Sequence, residues 1–210
     1  MFPERLTDGY KAFVAARLPR ERERFEELAA SGQKPEIMVI GCCDSRVSPE
    51  VIFDARPGEL FVVRNVANLV PPYEPDGEPH GTSAAVEYAV TALKVAHLIV
   101  LGHSSCGGVK GCYDMCSGHA PELDKKSSFV GRWMDILRPG FERLSPGSDE
   151  ERTRQLEKEA VVVSLENLMT FPFVKAAVED DMLSLHGLWN DIGEGGLEYF
   201  DGETGAFAPI

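Results

Sequence analysis

The sequence lacks any run of roughly eighteen apolar residues, the length that a helix needs to cross a bilayer. Its first residues, 1–5, also lack the apolar core of a secretory signal peptide. Neither an internal repeat nor a low-complexity segment is visible. We therefore expect no membrane association.

Basic residues are scarce relative to acidic ones. The chain has 21 Lys and Arg against 34 Asp and Glu, a formal net charge of −13. Such a balance argues against nucleic acid or an anionic membrane as a partner. With 210 residues, 43% of them hydrophobic, the chain is long enough for one domain with a proper core.

A thiol, a carboxylate and a guanidinium follow one predicted strand. The apolar run 37–40 predicts a buried strand, and Cys42, Asp44 and Arg46 come directly after it. Cys42 and Asp44 are two residues apart and project to the same side in an extended chain. Arg46 can turn back and pair with Asp44, either as part of a site or as a local turn salt bridge. Ligands bind at such strand ends in open α/β sheets.

A second apolar run is also followed by residue types that can bind a metal. Residues 97–102 predict another buried strand, which is followed by His103, Cys106 and two glycines. If the two strands are neighbours in a parallel sheet, Cys42, His103 and Cys106 converge. Two Cys and one His form a tetrahedral zinc site with one open position, which is a catalytic pattern. The alternative is a set of buried structural thiols.

The chain resembles the β-class carbonic anhydrases from about Gln33 to Glu198. The motifs that carry the resemblance are Cys42-x-Asp44-Ser45-Arg46, His103-x-x-Cys106-Gly107-Gly108, Phe61 to Asn68, Glu87 to Val90, and Glu159-Ala160-Val161.

The resemblance implies reversible hydration of CO₂ to bicarbonate by attack of zinc-bound hydroxide, with one zinc per chain. It implies that Asp44 accepts a hydrogen bond from the zinc-bound water or hydroxide and that Arg46 holds Asp44 off the metal. It also implies a substrate pocket built across a dimer interface, and hence a homodimer or a higher even oligomer. The pocket residues implied in this sequence are Gln33, Phe61, Val66 and Tyr88.

Two further questions stay open within the family. One branch binds bicarbonate with a Trp, an Arg and a Tyr; Arg64 is present here, but Val39 and Asn190 stand at the other two positions. The resemblance therefore implies the plant-like, open-site branch. Relatives with the same site hydrolyse CS₂ or COS, and a zinc-binding regulatory protein without turnover is a third alternative.

The remaining cysteines give a weaker signal. Cys112 and Cys116 are four residues apart and could share a helix face as a second metal or redox pair, although plain packing thiols are the simpler interpretation, as for Cys43. With an odd total of five cysteines, three of them in the metal set, we expect a reducing, cytoplasmic setting.

The order of the elements predicts an α/β fold. We expect a mostly parallel sheet of four strands in the order 2-1-3-4, an antiparallel edge strand, and helices on both faces. The whole chain, 1–210, is expected to be a single domain with a helical arm over 1–32 and a catalytic core over 33–210. In this order strands 1 and 3 meet at the topological switch point, beside the proposed metal ligands.

Overall fold

A six-stranded mixed sheet forms the centre of the molecule. The computed structural model describes residues 1–75 and 80–210. The strands run in the order β2-β1-β3-β4-β5-β6. Their bounds are β1 Ile37–Cys42, β2 Leu60–Asn65, β3 His97–His103, β4 Ser184–Asn190, β5 Leu197–Asp201 and β6 Ala206–Pro209.

The first four strands are parallel and the last two pairings are antiparallel. The predicted order 2-1-3-4 with an antiparallel β5 is therefore correct. The sheet nevertheless has six strands, so the prediction of four plus one edge strand was wrong by one. The missed strand, β6, is a four-residue segment ending in Pro209, and its small residues and proline carry little of the β-branched signal that marks a strand.

Nine α-helices are assigned within the described residues, with short π and 3₁₀ segments between some of them. The α-helices are α1 Glu4–Ala12, α2 Leu18–Ser31, α3 Pro49–Ile52, α4 Gly81–Glu87, α5 Gly107–Cys116, α6 Phe129–Met134, α7 Arg138–Glu142, α8 Asp149–Leu168 and α9 Pro172–Glu179. In the described part of the chain no single helix is long and apolar enough to span a membrane; α8 and α9 pass that test together, but they meet at 89°.

The two faces of the sheet are covered unequally. Residues of α4, α8 and α9 pack with Met38, Ile40 and Leu98 on one face. On the other face, the cluster around Val39 and Leu101 receives only Ile52 and Phe53, at the end of α3, from outside the sheet among the described residues. The prediction of helices on both faces is thus only partly right, because the second face carries a single short helix there.

A third apolar cluster lies at the carboxyl ends of the parallel strands. It joins Cys42 and Cys106 to buried residues of α5, α6 and α8. Helices therefore cover this end of the sheet, and Cys42 and Cys106 are packed into an apolar cluster.

The N-terminal helices stand apart from these clusters. A π segment, Phe13–Arg17, joins α1 to α2, and none of these three elements contains a buried residue. The contacts of α2 with the body include Arg24, whose Nε donates to the Pro57 carbonyl at 3.0 Å, and Leu28, which lies over Gly58. Residues 4–31 are therefore helical although none of their side chains is buried in the single chain.

Candidate metal centre

Cys42, His103 and Cys106 lie together at the carboxyl ends of β1 and β3. All three side chains are buried, and their ligand atoms lie within 4.8 Å of one another. The two sulfurs are 3.9 Å apart. A tetrahedron with Zn–S bonds of about 2.3 Å has an edge of about 3.8 Å, so the spacing of the sulfurs fits a zinc ion. The side chains that were predicted to converge form a cluster that could hold a metal.

The His103 ring is oriented by the backbone beside it. Its Nδ1 lies 2.8 Å from the Ser104 carbonyl oxygen, which can only accept a hydrogen bond, so Nδ1 carries the proton. The other nitrogen, Nε2, is buried and has no hydrogen-bond partner. A buried nitrogen lone pair without a partner is costly unless a ligand satisfies it. A metal ion bound to Nε2 would do so, with Nδ1 held by the carbonyl.

The turn that returns Cys106 to the site is strained. Ser105 has φ of +56°, a left-handed conformation that is unfavourable for a residue other than glycine. The buried carboxylate of Glu157, on α8, accepts a hydrogen bond from the Cys106 amide at 3.3 Å. From the other side, Arg46 donates to the Ser105 carbonyl at 3.1 Å. These contacts hold the turn in place.

Charge in the cluster favours a cation. The hydrogen bond from the Cys106 thiol lowers the pKa of Cys42, against burial, and the same hydrogen bond raises the pKa of Cys106. Burial opposes protonation of His103, but the adjacent Cys42 sulfur, the Ser104 carbonyl and the charge of Asp44 together raise the pKa of the ring. Without a metal, the site retains protons to balance thiolate charge. A divalent ion can replace those protons, which is how metal binding couples to thiol ionisation.

Asp44 and Arg46 form a two-pronged ion pair beside the cluster. Nε of Arg46 donates to Oδ1 at 2.9 Å and Nη2 donates to Oδ2 at 2.6 Å, while the Arg46 amide also donates to Oδ1 at 3.0 Å. These hydrogen bonds hold the pKa of Asp44 well below its usual range. Asp44 is therefore ionised and committed to Arg46 in this structure.

Arg64 has a position that the sequence did not reveal. From β2, its Nε donates to the Cys42 carbonyl at 2.7 Å and its Nη2 donates to the Asp44 carbonyl at 2.6 Å. The guanidinium of Arg64 thus fixes the backbone carbonyls of Cys42 and Asp44, on either side of Cys43. The sequence had indicated Arg64 only as a remnant of an anion site, because a contact between neighbouring strand ends depends on the tertiary structure.

The four predicted pocket residues do not all lie at the metal centre of their own chain. Val66 does: a side chain at Gly108 would meet Val66 Cγ1 at 2.7 Å. Phe61 and Tyr88 contact each other, with ring centroids 5.9 Å apart. Phe61 stands four residues before the β2 residue that pairs with Cys42, about 13 Å along the strand. Gln33 is exposed and precedes β1, whose opposite end carries Cys42.

The other thiols do not join the cluster. Cys43 is exposed, Cys112 is buried with its Sγ 3.5 Å from the Met134 carbonyl, and Cys116 is half-buried. The only group of three or more His, Cys, Asp or Glu suited to a metal, within residues 1–75 and 80–210, is Cys42, His103 and Cys106. Cys112 and Cys116 therefore do not form a second site of that size.

The chain is similar to known proteins over most of its length. Residues 37–197 match the family model for carbonic anhydrase. The β carbonic anhydrase 3 of Arabidopsis thaliana is 37% identical over 203 residues, which is 94% of this chain and 76% of the plant protein. The structure of the β-carbonic anhydrase CcaA matches with a TM-score of 0.85 at 33% identity, covering 99% of this chain and 91% of the other. A structure from work on two tetrameric β-carbonic anhydrases of Sordaria macrospora matches with a TM-score of 0.78 at 28% identity, covering 98% of each chain.

Proposed function

This chain belongs to the β-carbonic anhydrase family, which catalyses CO₂ hydration, and we propose that it converts CO₂ and water reversibly to bicarbonate and a proton. The cofactor we propose is one zinc ion per chain, held by Cys42, His103 and Cys106. The observation that carries the proposal is the buried cluster of these three ligands beside an ionised carboxylate.

The ligand set determines how the site handles charge. A bound zinc ion would supply Lewis acidity and a reactive water near neutral pH. Two thiolates, from Cys42 and Cys106, balance the charge of a dication and leave it a weaker Lewis acid than three neutral imidazoles would. The neighbouring groups must therefore help to orient and activate the attacking water.

Asp44 is the group placed for that task. As an ionised carboxylate it can accept a hydrogen bond from the attacking water and orient it towards CO₂. Arg46 keeps Asp44 ionised and holds both of its oxygens, so the carboxylate does not move into the metal set. This arrangement supports assignment to the open-site branch.

We also propose that a second copy of the chain completes the substrate pocket. The Gln33 amide would donate to a substrate oxygen, with Phe61 and Tyr88 as an apolar wall facing Val66 of the other subunit. Val66 and Tyr88 are 39% and 49% exposed in the single chain, which is much for side chains that line an apolar pocket. The function would then require a homodimer or a higher even oligomer. All five cysteines are free, which supports a reducing, cytoplasmic setting.

The test compares metal content and turnover in matched variants. We expect about one zinc per chain by elemental analysis and rapid CO₂ hydration by stopped flow, measured beside COS hydrolysis. Cys106→Ser should lose zinc and activity together. Cys116→Ser, which changes a half-buried thiol outside the cluster, is the control and should retain both.

Each contrary result has a distinct meaning. Full zinc in the Cys106→Ser protein would refute the ligand set. Full zinc in the wild type without CO₂ hydration would favour a non-catalytic zinc protein. Efficient COS hydrolysis with weak CO₂ hydration would replace the proposed substrate and leave the site intact.

A further inference from the structure

Two histidines face each other at the amino-terminal ends of two neighbouring strands. His97 begins β3, and His186 is the third residue of β4. Nδ1 of His97 lies 3.2 Å from Nε2 of His186, and the ring centroids are 5.3 Å apart. His97 is exposed and His186 is half-buried, so the pair is open to solvent.

The geometry points to a second metal site, in which His97 and His186 together bind an exchangeable divalent transition ion such as Zn²⁺ or Ni²⁺. Zn–N bonds are about 2.0–2.1 Å, so two imidazole nitrogens on one tetrahedral ion lie about 3.3 Å apart. The observed spacing is that of an N–H···N hydrogen bond between the rings, and it is also close to that edge, so an ion can replace the shared proton with little movement of either ring. Imidazole nitrogen is a good ligand for these ions.

The protonation of the pair also favours a metal. Burial, helped by the charge of His97, lowers the pKa of His186. A neutral imidazole is the form that binds a metal ion. Two protonated rings at this distance would repel each other, whereas an ion between them uses the lone pair of each.

The site differs from the centre at Cys42, His103 and Cys106 in both position and strength. His103 lies six positions after His97 on β3, about 20 Å along the extended strand. In the described part of the chain, no third His, Cys, Asp or Glu joins the histidine pair within the spacing of a metal cluster. Water would complete the coordination, so this ion should exchange readily while the central ion stays bound.

An ion held by both rings would tie β3 to β4. Because the unfolded chain does not hold the two rings together, the ion binds the native state preferentially and stabilises it. The inference does not depend on the enzymatic activity, since neither histidine belongs to the catalytic cluster.

The experiment uses zinc-loaded, tag-free protein and Ni²⁺ as the probe. Equilibrium dialysis with elemental analysis should give about one nickel per chain in addition to the retained zinc. At a hundredfold excess of Ni²⁺ over its Kd, the unfolding midpoint should rise by roughly 5–10 °C. His97→Gln and His186→Gln should each abolish the nickel and the shift. His119→Gln, at an exposed histidine whose ring contacts Ser117, is the matched control and should behave as the wild type.

Three outcomes would overturn the site: no nickel bound to the wild type, equal nickel bound to His97→Gln, or nickel bound only as zinc is released. His97 is exposed, so its substitution leaves the core intact. The assignment therefore stays testable even if the His186 variant folds poorly.

Discussion

At the scale of the residue, we propose that the Asp44–Arg46 pair decides whether the fourth position on the metal stays open. Replacing Arg46 by Ala removes the side-chain hydrogen bonds to both carboxylate oxygens and leaves only the backbone amide on Oδ1. Asp44 can then turn into the metal set and occupy its open position. We expect CO₂ hydration to fall by about a hundredfold or more while the zinc content stays unchanged. Arg46→Lys, which retains the charge without the fork, should lose less. Near-normal hydration by Arg46→Ala would show that the pair is only structural.

Arg64 supports the proposed metal ligands through the backbone and is not itself one of them. Its two hydrogen bonds to the carbonyls of Cys42 and Asp44 hold the loop that presents both side chains. Arg64→Gln should therefore weaken zinc binding by about 10–100-fold, the usual effect of losing an outer support of a metal site. Chelator competition measures this affinity. Arg56→Gln, on the exposed loop before β2, is the control; equal zinc affinity in the two variants would contradict the role of Arg64.

The residues of the site differ in how far the sequence could predict them. Cys42, His103 and Cys106 were predictable because each follows a recognisable strand, and the order of parallel strands brings their ends together. The roles of Arg64 and Glu157 were not, because each reaches a backbone group far along the chain. The proposed roles of Gln33 and Phe61 rest on family resemblance alone, and no local pattern marks these residues.

At the scale of the element, α8 crosses the sheet where the strands have glycines. A Cβ at Gly102 on β3 would lie 2.6 Å from Val161 Cγ2 and 3.4 Å from the Glu157 carbonyl. A Cβ at Gly187 on β4 would lie 2.8 Å from Val161 Cγ1. The helix can approach this closely only because these strand residues have no side chain. This contact also brings Glu157 to the turn at Cys106.

Gly102→Ala should therefore force α8 outward. We expect a loss of about 1–3 kcal/mol in the free energy of unfolding, since Val161 is branched and stiff and cannot yield cheaply. Chemical denaturation provides the measurement. Gly202→Ala, where a new Cβ meets nothing within 4 Å, is the control. Equal stability of the two variants would mean that the close approach at Gly102 is not required.

The strands also show which features of the fold an apolar sequence pattern can predict and which it cannot. The parallel strands were predicted because continuous apolar runs signal strands buried on both faces. The alternation of strands and helices predicted helices on both faces. Among residues 1–75 and 80–210, however, the cluster on one face receives a single short helix and retains half-buried Ile37, Val62 and Ile99. An apolar strand indicates that its face becomes buried, but not whether a helix or another subunit covers it.

At the scale of the whole molecule, we propose a pocket shared between subunits but no pH-dependent switch of the subunits. A partner subunit is proposed to supply Gln33, Phe61 and Tyr88 to each centre, so a fully active monomer in sedimentation would contradict the shared pocket. If the subunits also switched together between open and closed sites, activity would rise steeply with pH. That behaviour needs a group that moves Asp44 onto the metal in a cooperative manner.

The geometry predicts a simpler pH response. Arg46 holds the pKa of Asp44 well below its ordinary value, so the stability contributed by this pair is present above the ordinary carboxyl range and is lost only in strong acid. Asp44 therefore stays ionised and paired throughout the working range. Because Arg64 donates to two backbone carbonyls, its Nε and Nη2 are not free to bind bicarbonate and drive a closed form.

We therefore expect kcat/KM for CO₂ to rise from about pH 6.5 to 9 as a single-proton titration, since the reaction uses one deprotonated water. Added bicarbonate should act as a product and should not steepen the curve. The profile is measured by stopped flow on the zinc-loaded oligomer, with subunit number checked at both ends of the range. A rise steeper than one proton, or one that steepens with bicarbonate, would place this chain in the switching branch and would require Asp44 to leave Arg46 near neutral pH.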